Sequence, residues 1–167
     1  MLLILIVKFK VMRIIISFFL IITLLSSCKE KKEAHSSYQN NLVGTWKLIT
    51  GVIIEKGDTV VTDHTKNVSF IKIINDSHFA FLQHDLKKGK DSVPVYVSGG
   101  GQYALTDSFY TEHLEYCSAR NWEGNNFKFT ISIKNDTLVQ SGVETIKSEG
   151  INRINIEKYV RMQMPGK

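Results

Sequence analysis

The feature of this sequence that most constrains its fold is an alternation of apolar and polar residues in short segments. The alternation is clearest in residues 127–134, whose apolar members are Phe127, Phe129, Ile131 and Ile133. Successive side chains of a β-strand point to opposite faces, so this segment predicts a strand with one buried face and one solvated face. Such a strand belongs to a sheet that covers a core on one side only.

Similar segments recur along the rest of the chain and are separated by residues that tolerate tight turns. They cover residues 42–54, 60–63, 68–74, 78–83, 93–97, 101–106, 109–117, 127–134, 137–142 and 154–162. The residues after 41 show no helical period of useful length. Neighbouring strands should therefore pair antiparallel, and closure into a barrel would remove exposed edges. We predict an all-β domain, an antiparallel up-and-down β-barrel of eight to ten strands, with a bulge or sharp bend at Gly99-Gly100-Gly101.

Residues 1–27 have the composition of a secretory signal peptide. Their charged residues are Lys8, Lys10 and Arg13, with no acidic residue, and an apolar block follows at residues 14–25. The block has twelve residues, whereas a bilayer span needs about 20. Translation from Met12 would still leave a complete signal, so Met1 and Met12 both remain open as starts.

The segment Leu25-Ser26-Ser27-Cys28 resembles the bacterial lipobox, in which cleavage precedes a cysteine whose thiol carries diacylglycerol. The resemblance implies lipidation of Cys28 and attachment to a membrane. Lys29, in place of Asp after the cysteine, argues against retention in the inner membrane. We therefore expect an outer-membrane lipoprotein, at the periplasmic face or the cell surface. Polar residues 28–40 are predicted to be a flexible tether before a barrel domain at residues 41–167.

Charge and motif content argue against several classes of function. Beyond residue 27 the chain has 18 basic and 16 acidic residues, a balance that does not favour nucleic-acid binding. Cys117 would be the only thiol left after lipidation, so no internal disulfide is expected. His78 and His84 share a predicted strand face, but at about 3.3 Å per residue they lie roughly 20 Å apart. No phosphate loop, nucleophile motif or zinc spacing occurs, so we expect no metal, cofactor or catalytic activity. We also expect the protein to be a monomer.

Two segments at the ends of the predicted barrel resemble the lipocalin superfamily, and more narrowly the lipocalin-like domains of Bacteroidetes-type lipoproteins. They are Gly44-Thr45-Trp46 and the final strand segment Glu157-Lys158-Tyr159-Val160-Arg161. The resemblance implies that Trp46 plugs one end of the barrel and packs under Arg161. Gly44, which has no Cβ, would let another segment cross close to its backbone. The chain departs from secreted lipocalins because no helix follows its last strand.

The predicted barrel interior combines apolar and polar side chains. The residues expected to point inward are Tyr103, Leu105, Phe127, Phe129, Ile131 and Ile133, with Tyr110, Glu112, Leu114 and Tyr116 on a neighbouring face. The candidate ligand-binding residues are Tyr103, Tyr110, Glu112, Tyr116, Phe129 and Tyr159. In the last strand, the face with Glu157, Tyr159 and Arg161 and the face with Ile154, Ile156, Val160 and Met162 are both candidates for the interior.

Two functions stay open on the sequence alone. The first is a lipid-anchored envelope protein whose barrel binds a small apolar or amphipathic molecule, because apolar walls with a few polar groups are typical of small-ligand pockets. The alternative is a non-catalytic structural or interaction accessory of the cell envelope with a filled barrel. In that case Glu112 would be satisfied by Arg161 or by tyrosine hydroxyls.

Overall fold

The computed structural model describes residues 41–106 and 109–163, which form nine β-strands and two short 3₁₀ turns. The strands are β1 (Gly44–Glu55), β2 (Asp58–Asp63), β3 (Val68–Ile74), β4 (His78–Asp85), β5 (Tyr96–Thr106), β6 (Phe109–Cys117), β7 (Asn126–Lys134), β8 (Thr137–Ile146) and β9 (Ile151–Arg161). The 3₁₀ turns are Arg120–Trp122 and Lys147–Glu149. The predicted signal peptide, the lipidation site Cys28 and the tether lie outside the described residues.

Eight of the strands close into an antiparallel barrel, as the sequence predicts. From β3 to β9 each strand pairs with its sequence neighbour, and β9 returns to pair with β1. The first part of β1, Gly44–Lys47, pairs with β3, and its second part, Thr50–Glu55, pairs with β2. Among the described strands, β2 therefore lies outside the ring and has a free edge. No helix within these residues has the length and apolar character that a membrane crossing requires.

The alternation in β7 gives the expected two faces. Phe127, Phe129 and Ile131 are buried, whereas Lys128 and Thr130 are exposed. Along the barrel these buried residues join a core that also contains Leu42, Trp46, Leu48, Ile74, Phe79, Tyr110, Leu114, Cys117, Leu138, Ile146 and Tyr159. These side chains pack at the closed end of the barrel and along its inner surface.

The structure decides which face of β9 lies inside. Asn155 and Tyr159 are buried, whereas Ile154 is 39% exposed and Met162 is 45% exposed. The inner face is therefore the more polar one, which also carries Glu157. This wall of the barrel lines the interior with hydrogen-bonding groups instead of apolar side chains.

Tyr116 does not share the inner face of β6, so its predicted orientation is wrong. Gly100 pairs with Tyr116 and Gly101 pairs with Leu114, which leaves Glu115 as an extra residue in β6. This bulge shifts the alternation by one residue, and Tyr116 is 68% exposed. A Cβ on Gly101 would contact the carbonyl oxygen of His113 and lie 2.8 Å from the amide nitrogen of Glu115. The predicted bulge at the glycines is present, and it is what turns Tyr116 outward.

Several strand boundaries differ from the prediction. The segments 93–97 and 101–106 were expected as two strands, but β5 runs without a break through the three glycines. The last two strands are longer than predicted and are joined by the 3₁₀ turn, with Gly150 in a left-handed conformation at φ +65°. Leu42 is helical and not part of β1. Its side chain is completely buried against the closed end of the barrel.

Candidate functional site

One end of the barrel is closed by the indole of Trp46. This side chain is completely buried, and its Nε1 donates a hydrogen bond to the carbonyl oxygen of Leu42 at 2.8 Å. The guanidinium carbon of Arg161 lies 4.1 Å from the ring centre. This is the arrangement that the resemblance implies, and such a cation–π contact contributes about 0.5–2 kcal/mol.

The nitrogen atoms of Arg161, near the end of the domain sequence, donate hydrogen bonds to residues at its start and in the turn between β7 and β8. Nη1 donates to the carbonyl oxygen of Val43 at 2.8 Å, Nη2 donates to that of Asn41, and Nε donates to Asp136 at 3.1 Å. Gly44 lies beside this guanidinium at φ +148°, and a Cβ there would be 2.5 Å from Nη1. Because every nitrogen of the guanidinium has a protein partner, these contacts support a structural role for Arg161 at the closed end.

A row of polar side chains crosses the barrel interior from β3 to β9. Lys72 Nζ lies 2.5 Å from Glu112 Oε1 and donates to Gln140 Oε1 at 3.1 Å. Gln140 Nε2 donates to Glu157 Oε2 at 2.6 Å, and the Tyr159 hydroxyl donates to the same oxygen at 2.8 Å. We call these five residues the polar row. Its members come from four different strands, so only the closed barrel brings them together.

The burial of Lys72 is matched by its surroundings. Its side chain is 3% exposed and that of Glu112 is 8% exposed. The ammonium also lies 5.6 Å from the ring centre of Phe79, 5.8 Å from that of Tyr110 and 5.5 Å from that of Tyr159. Ring faces attract cations and partly replace the water that the ammonium loses.

Burial changes the acidity of the groups around the polar row. Loss of hydration raises the pKa of Glu112, against the opposing charge of Lys72. Burial, followed by nearby carboxylates, raises the pKa of Tyr110 and Tyr159 well above the ordinary tyrosine value. Both tyrosines therefore remain protonated at neutral pH. The Tyr159 hydroxyl is thus available as a fixed donor to Glu157.

A second charged group lies farther along the same wall. Arg153 Nε donates to Glu144 Oε2 at 2.7 Å, and Asn155 Nδ2 donates to Glu144 Oε1 at 2.8 Å. The Arg153 guanidinium lies 5.2 Å from the ring centre of Trp122, which packs against Phe127 at 5.9 Å between ring centres. Trp122 and Arg153 are half-buried, so they form the solvent-facing part of this wall.

These two polar groups line a cavity of about 150 Å³ inside the barrel. The rest of its wall is apolar and mostly aromatic, and it contains Phe70, Phe81, Leu114, Trp122, Phe127 and Phe129. A void of roughly this volume can hold a molecule of the size of benzene. The cavity can therefore take a small compound with an apolar body and hydrogen-bonding groups.

Comparison with known protein families identifies the domain. Residues 41–167 match the family described as "Domain of unknown function (DUF4488)". The chain belongs to the DUF4488 family. No curated protein matches the chain.

Three of the six candidate ligand-binding residues line the cavity of this DUF4488 domain: Glu112, Phe129 and Tyr159. Tyr110 is completely buried next to them, and its ring centre lies 5.1 Å from that of half-buried Tyr103. Neither of these two tyrosines lines the cavity. Tyr116 lies on the outer surface, as described above.

The ion-pair partner of Glu112 is Lys72, and not Arg161, which the filled-core interpretation gave as one alternative beside tyrosine hydroxyls. The sequence analysis does not predict an interior Lys72, because a single lysine in the apolar segment 68–74 is typical of a solvent-facing position. The one sequence feature that indicates an interior position for Lys72 is that Phe70 and Ile74 lie on the same face of the strand. Pattern reasoning also missed the other interior polar residues, Gln140, Glu144, Arg153 and Asn155.

Within residues 41–106 and 109–163 of the domain, no three His, Cys, Asp or Glu side chains come together in a way that could hold a metal ion. His113 Nδ1 is hydrogen-bonded to Asn126 Oδ1 at 2.7 Å. Cys117 is buried as a free thiol. The groups that converge in the barrel are hydrogen-bond donors, acceptors and aromatic faces, an arrangement suited to binding.

Proposed function

We propose that this DUF4488 domain binds a small amphipathic molecule inside its barrel. The observation that supports this function best is the cavity of about 150 Å³, with aromatic rings on one part of its wall and paired polar groups on another. Small-ligand sites are typically concave, mostly apolar and lined by a few fixed polar groups. The hydrogen bonds within the polar row hold its side chains in place before a ligand arrives, which lowers the entropy lost on binding.

The domain acts at a membrane surface in this proposal. Support comes from the sequence of residues 1–28, where a basic segment, an apolar block and the lipobox-like Leu25-Ser26-Ser27-Cys28 follow one another. Acylation of Cys28 would hold the barrel close to the outer membrane, within reach of the tether. Cys28→Ala should then abolish uptake of labelled fatty acid and release the protein from membranes. Unchanged membrane partitioning would contradict the anchor.

The direct test of ligand binding is native mass spectrometry of the full chain purified from its own envelope. A bound small molecule should appear as an additional mass that is lost on denaturation. Extracted ligand should then quench or shift the fluorescence of Trp122, which lines the cavity, and the signal should disappear in Trp122→Phe. Trp46, the other tryptophan, is sealed at the closed end and provides the internal reference. An empty protein that binds no extract component would overturn this function.

The alternative function, a docking accessory of the envelope, is favoured by one observation. Within residues 41–106 and 109–163, strand β2 has a free edge outside the barrel, and its Val60 and Val61 are 58% and 66% exposed. Free edges can pair with a strand of another protein. Val61→Lys should weaken capture of an envelope partner under this alternative, whereas it should leave ligand binding in the lumen unchanged under the first proposal.

A further inference from the structure

We propose that the barrel selects an organic cation, a small ammonium compound with an apolar body, and that Glu157 is its counter-ion. This inference rests on the proposed function and names the chemical class of the ligand. It is carried by the charge balance of the cavity and by the aromatic rings that line the same cavity as this carboxylate.

Among the residues that the structure describes, three carboxylates and two cationic side chains line the cavity, so their charges do not balance. Lys72 is paired with Glu112, and Arg153 is paired with Glu144. Glu157 has no basic side chain within 4 Å among the residues that the structure describes. Its two hydrogen-bond donors, Gln140 and Tyr159, are both neutral and both bind the Oε2 atom. The cavity therefore has one negative charge more than it has positive charges.

The second oxygen of this carboxylate can still accept a hydrogen bond. No described residue donates a hydrogen bond to Glu157 Oε1, whereas both oxygens of Glu144 have donors. The nearby basic group His64 is a poor source of the missing charge at neutral pH, because burial lowers its pKa against the opposing charge of Glu157. Glu157 is half-buried, and a carboxylate in such a position gains more from a charged hydrogen-bond donor than from a neutral one.

Three aromatic rings that line the cavity fit the apolar body and the charge of such a ligand. Phe70 and Phe81 are stacked with 5.9 Å between ring centres, and Phe70 lies 6.3 Å from Tyr159. All three line the cavity. Because ring faces are electron-rich, they attract a cation and repel an anion.

An anionic ligand is less well suited to this cavity. The Arg153 guanidinium could bind it, but Arg153 is already paired with Glu144 and stacked on Trp122. An anion would also enter a cavity with three carboxylates and two cations. The charge balance of the cavity thus favours a cationic ligand over an anionic one.

The test uses three probes that share one ring and differ in the charge of the head group: benzylammonium, benzyl alcohol and benzoate. Binding to the full chain in a nonionic detergent is measured by calorimetry and by Trp122 fluorescence at neutral pH. A charge-assisted hydrogen bond to Glu157 predicts that benzylammonium binds at least about tenfold more tightly than benzyl alcohol. Benzoate should bind more weakly still.

Glu157→Gln keeps the shape of the side chain and removes its charge. It should weaken binding of benzylammonium by about tenfold and leave benzyl alcohol nearly unchanged. The matched control is Glu149→Gln, the same change at an exposed carboxylate in the 3₁₀ turn outside the cavity, which should leave all three probes unaffected. The order of the three affinities is measured on the unmodified protein, so this part of the test does not require either variant to fold.

The outcomes separate this inference from the proposed function. If benzyl alcohol or benzoate binds in the lumen more tightly than benzylammonium, or if Glu157→Gln leaves the preference for the cation intact, the cation inference is wrong and lumen binding stands. If none of the three probes binds although native mass spectrometry shows a bound small molecule, the cation inference is wrong and lumen binding stands. If that measurement also finds the protein empty, both the inference and the proposed function are overturned.

Discussion

Lys72 brings a positive charge into the barrel interior, where Glu112 balances it at 2.5 Å. Removing both groups from water costs several kcal/mol per ion, and their attraction offsets this cost only when the geometry is good. Gln140 and three aromatic rings supply the further contacts that the ammonium needs. The pair therefore contributes little net stability, but the loss of either partner alone leaves a buried charge without compensation.

Single and double substitutions at this pair should give strongly non-additive effects. Lys72→Met and Glu112→Leu should each lower the free energy of unfolding by about 3–5 kcal/mol. The double variant should lose less than either single variant, because no buried charge remains. Urea unfolding of the four proteins measures the cycle. Additive losses would contradict the buried pair.

The raised pKa of Glu112 makes this stability depend on pH. A folded-state pKa above the ordinary value of 4.5 means that the folded protein holds this proton more strongly than the unfolded chain. The contribution of Glu112 is therefore fully present below its unfolded pKa, and it is lost as pH rises through the folded value. The stability of the unmodified protein relative to the Lys72→Met/Glu112→Leu variant should fall as pH rises above 4.5. A difference that rises with pH would contradict the direction of the pKa shift.

Trp46 should matter for stability because it fills the closed end. Trp46→Ala removes a completely buried indole and the surface on which Arg161 stacks, and we expect a loss of about 3–5 kcal/mol. Trp122→Ala is the matched control, since Trp122 is only half-buried, and it should cost clearly less. Thermal and urea denaturation provide the comparison. Equal losses in the two variants would contradict the role of Trp46 as a plug.

At the level of strands, the pairing of β5 with β6 shows how a bulge redirects side chains. One extra residue, Glu115, moves Tyr116 to the outer surface and Cys117 to the core. The bulge depends on a close approach of the two backbones at Gly101, where a Cβ would meet the carbonyl oxygen of His113. A local substitution there should therefore disturb the whole strand pair.

Gly101→Ala should destabilise the barrel by about 1–3 kcal/mol, because the added methyl group overpacks against backbone atoms that cannot move aside. The control is Gly57→Asn in the turn between β1 and β2. Gly57 has open space around it at φ +88°, and asparagine tolerates this conformation, so the effect should stay within about 0.5 kcal/mol. The midpoints of urea unfolding distinguish the two sites. If Gly101→Ala leaves the unfolding midpoint unchanged, the backbones of β5 and β6 can move apart at this bulge without loss of stability.

At the level of the whole molecule, the barrel closes through its first and last strands. β1 pairs with β9 from Trp46 to Ile54, and Arg161 reaches back to the carbonyl groups of Asn41 and Val43. Contacts between distant parts of a chain form late and slow the folding of all-β domains. The polar row is complete only after β9 has docked, because Glu157 and Tyr159 both belong to that strand.

Removal of residues 151–167 should therefore prevent folding and not merely weaken the protein. Without β9, both β1 and β8 lose a hydrogen-bonded neighbour, and the interior polar groups are opened to water. Circular dichroism and amide NMR spectra of the truncated chain should show no cooperative unfolding transition. A chain of residues 41–167, the span of the family match, is the control and should keep the barrel. A folded product without β9 would contradict closure as the source of stability.

The sequence by itself determined the fold class, because apolar alternation and turn residues are local signals that each strand carries on its own. The alternation of β7, the bulge at the central glycines and the closed antiparallel barrel were all predictable in this way. The same local reasoning placed Glu112 and Phe129 on interior faces, whereas it left open which face of the last strand, and therefore Tyr159, lies inside. It failed for Tyr116, because an added residue in one strand reverses the alternation beyond it.

The tertiary structure alone decided what the interior contains. Lys72, Gln140, Glu144, Arg153 and Asn155 look like surface residues in the sequence, since nothing in a strand indicates which partners will face it across a barrel. Each polar side chain can be buried only where another strand supplies the opposite charge or hydrogen bond. That complementarity is a property of the closed ring, and it also leaves Glu157 as the carboxylate without a basic partner within the described residues.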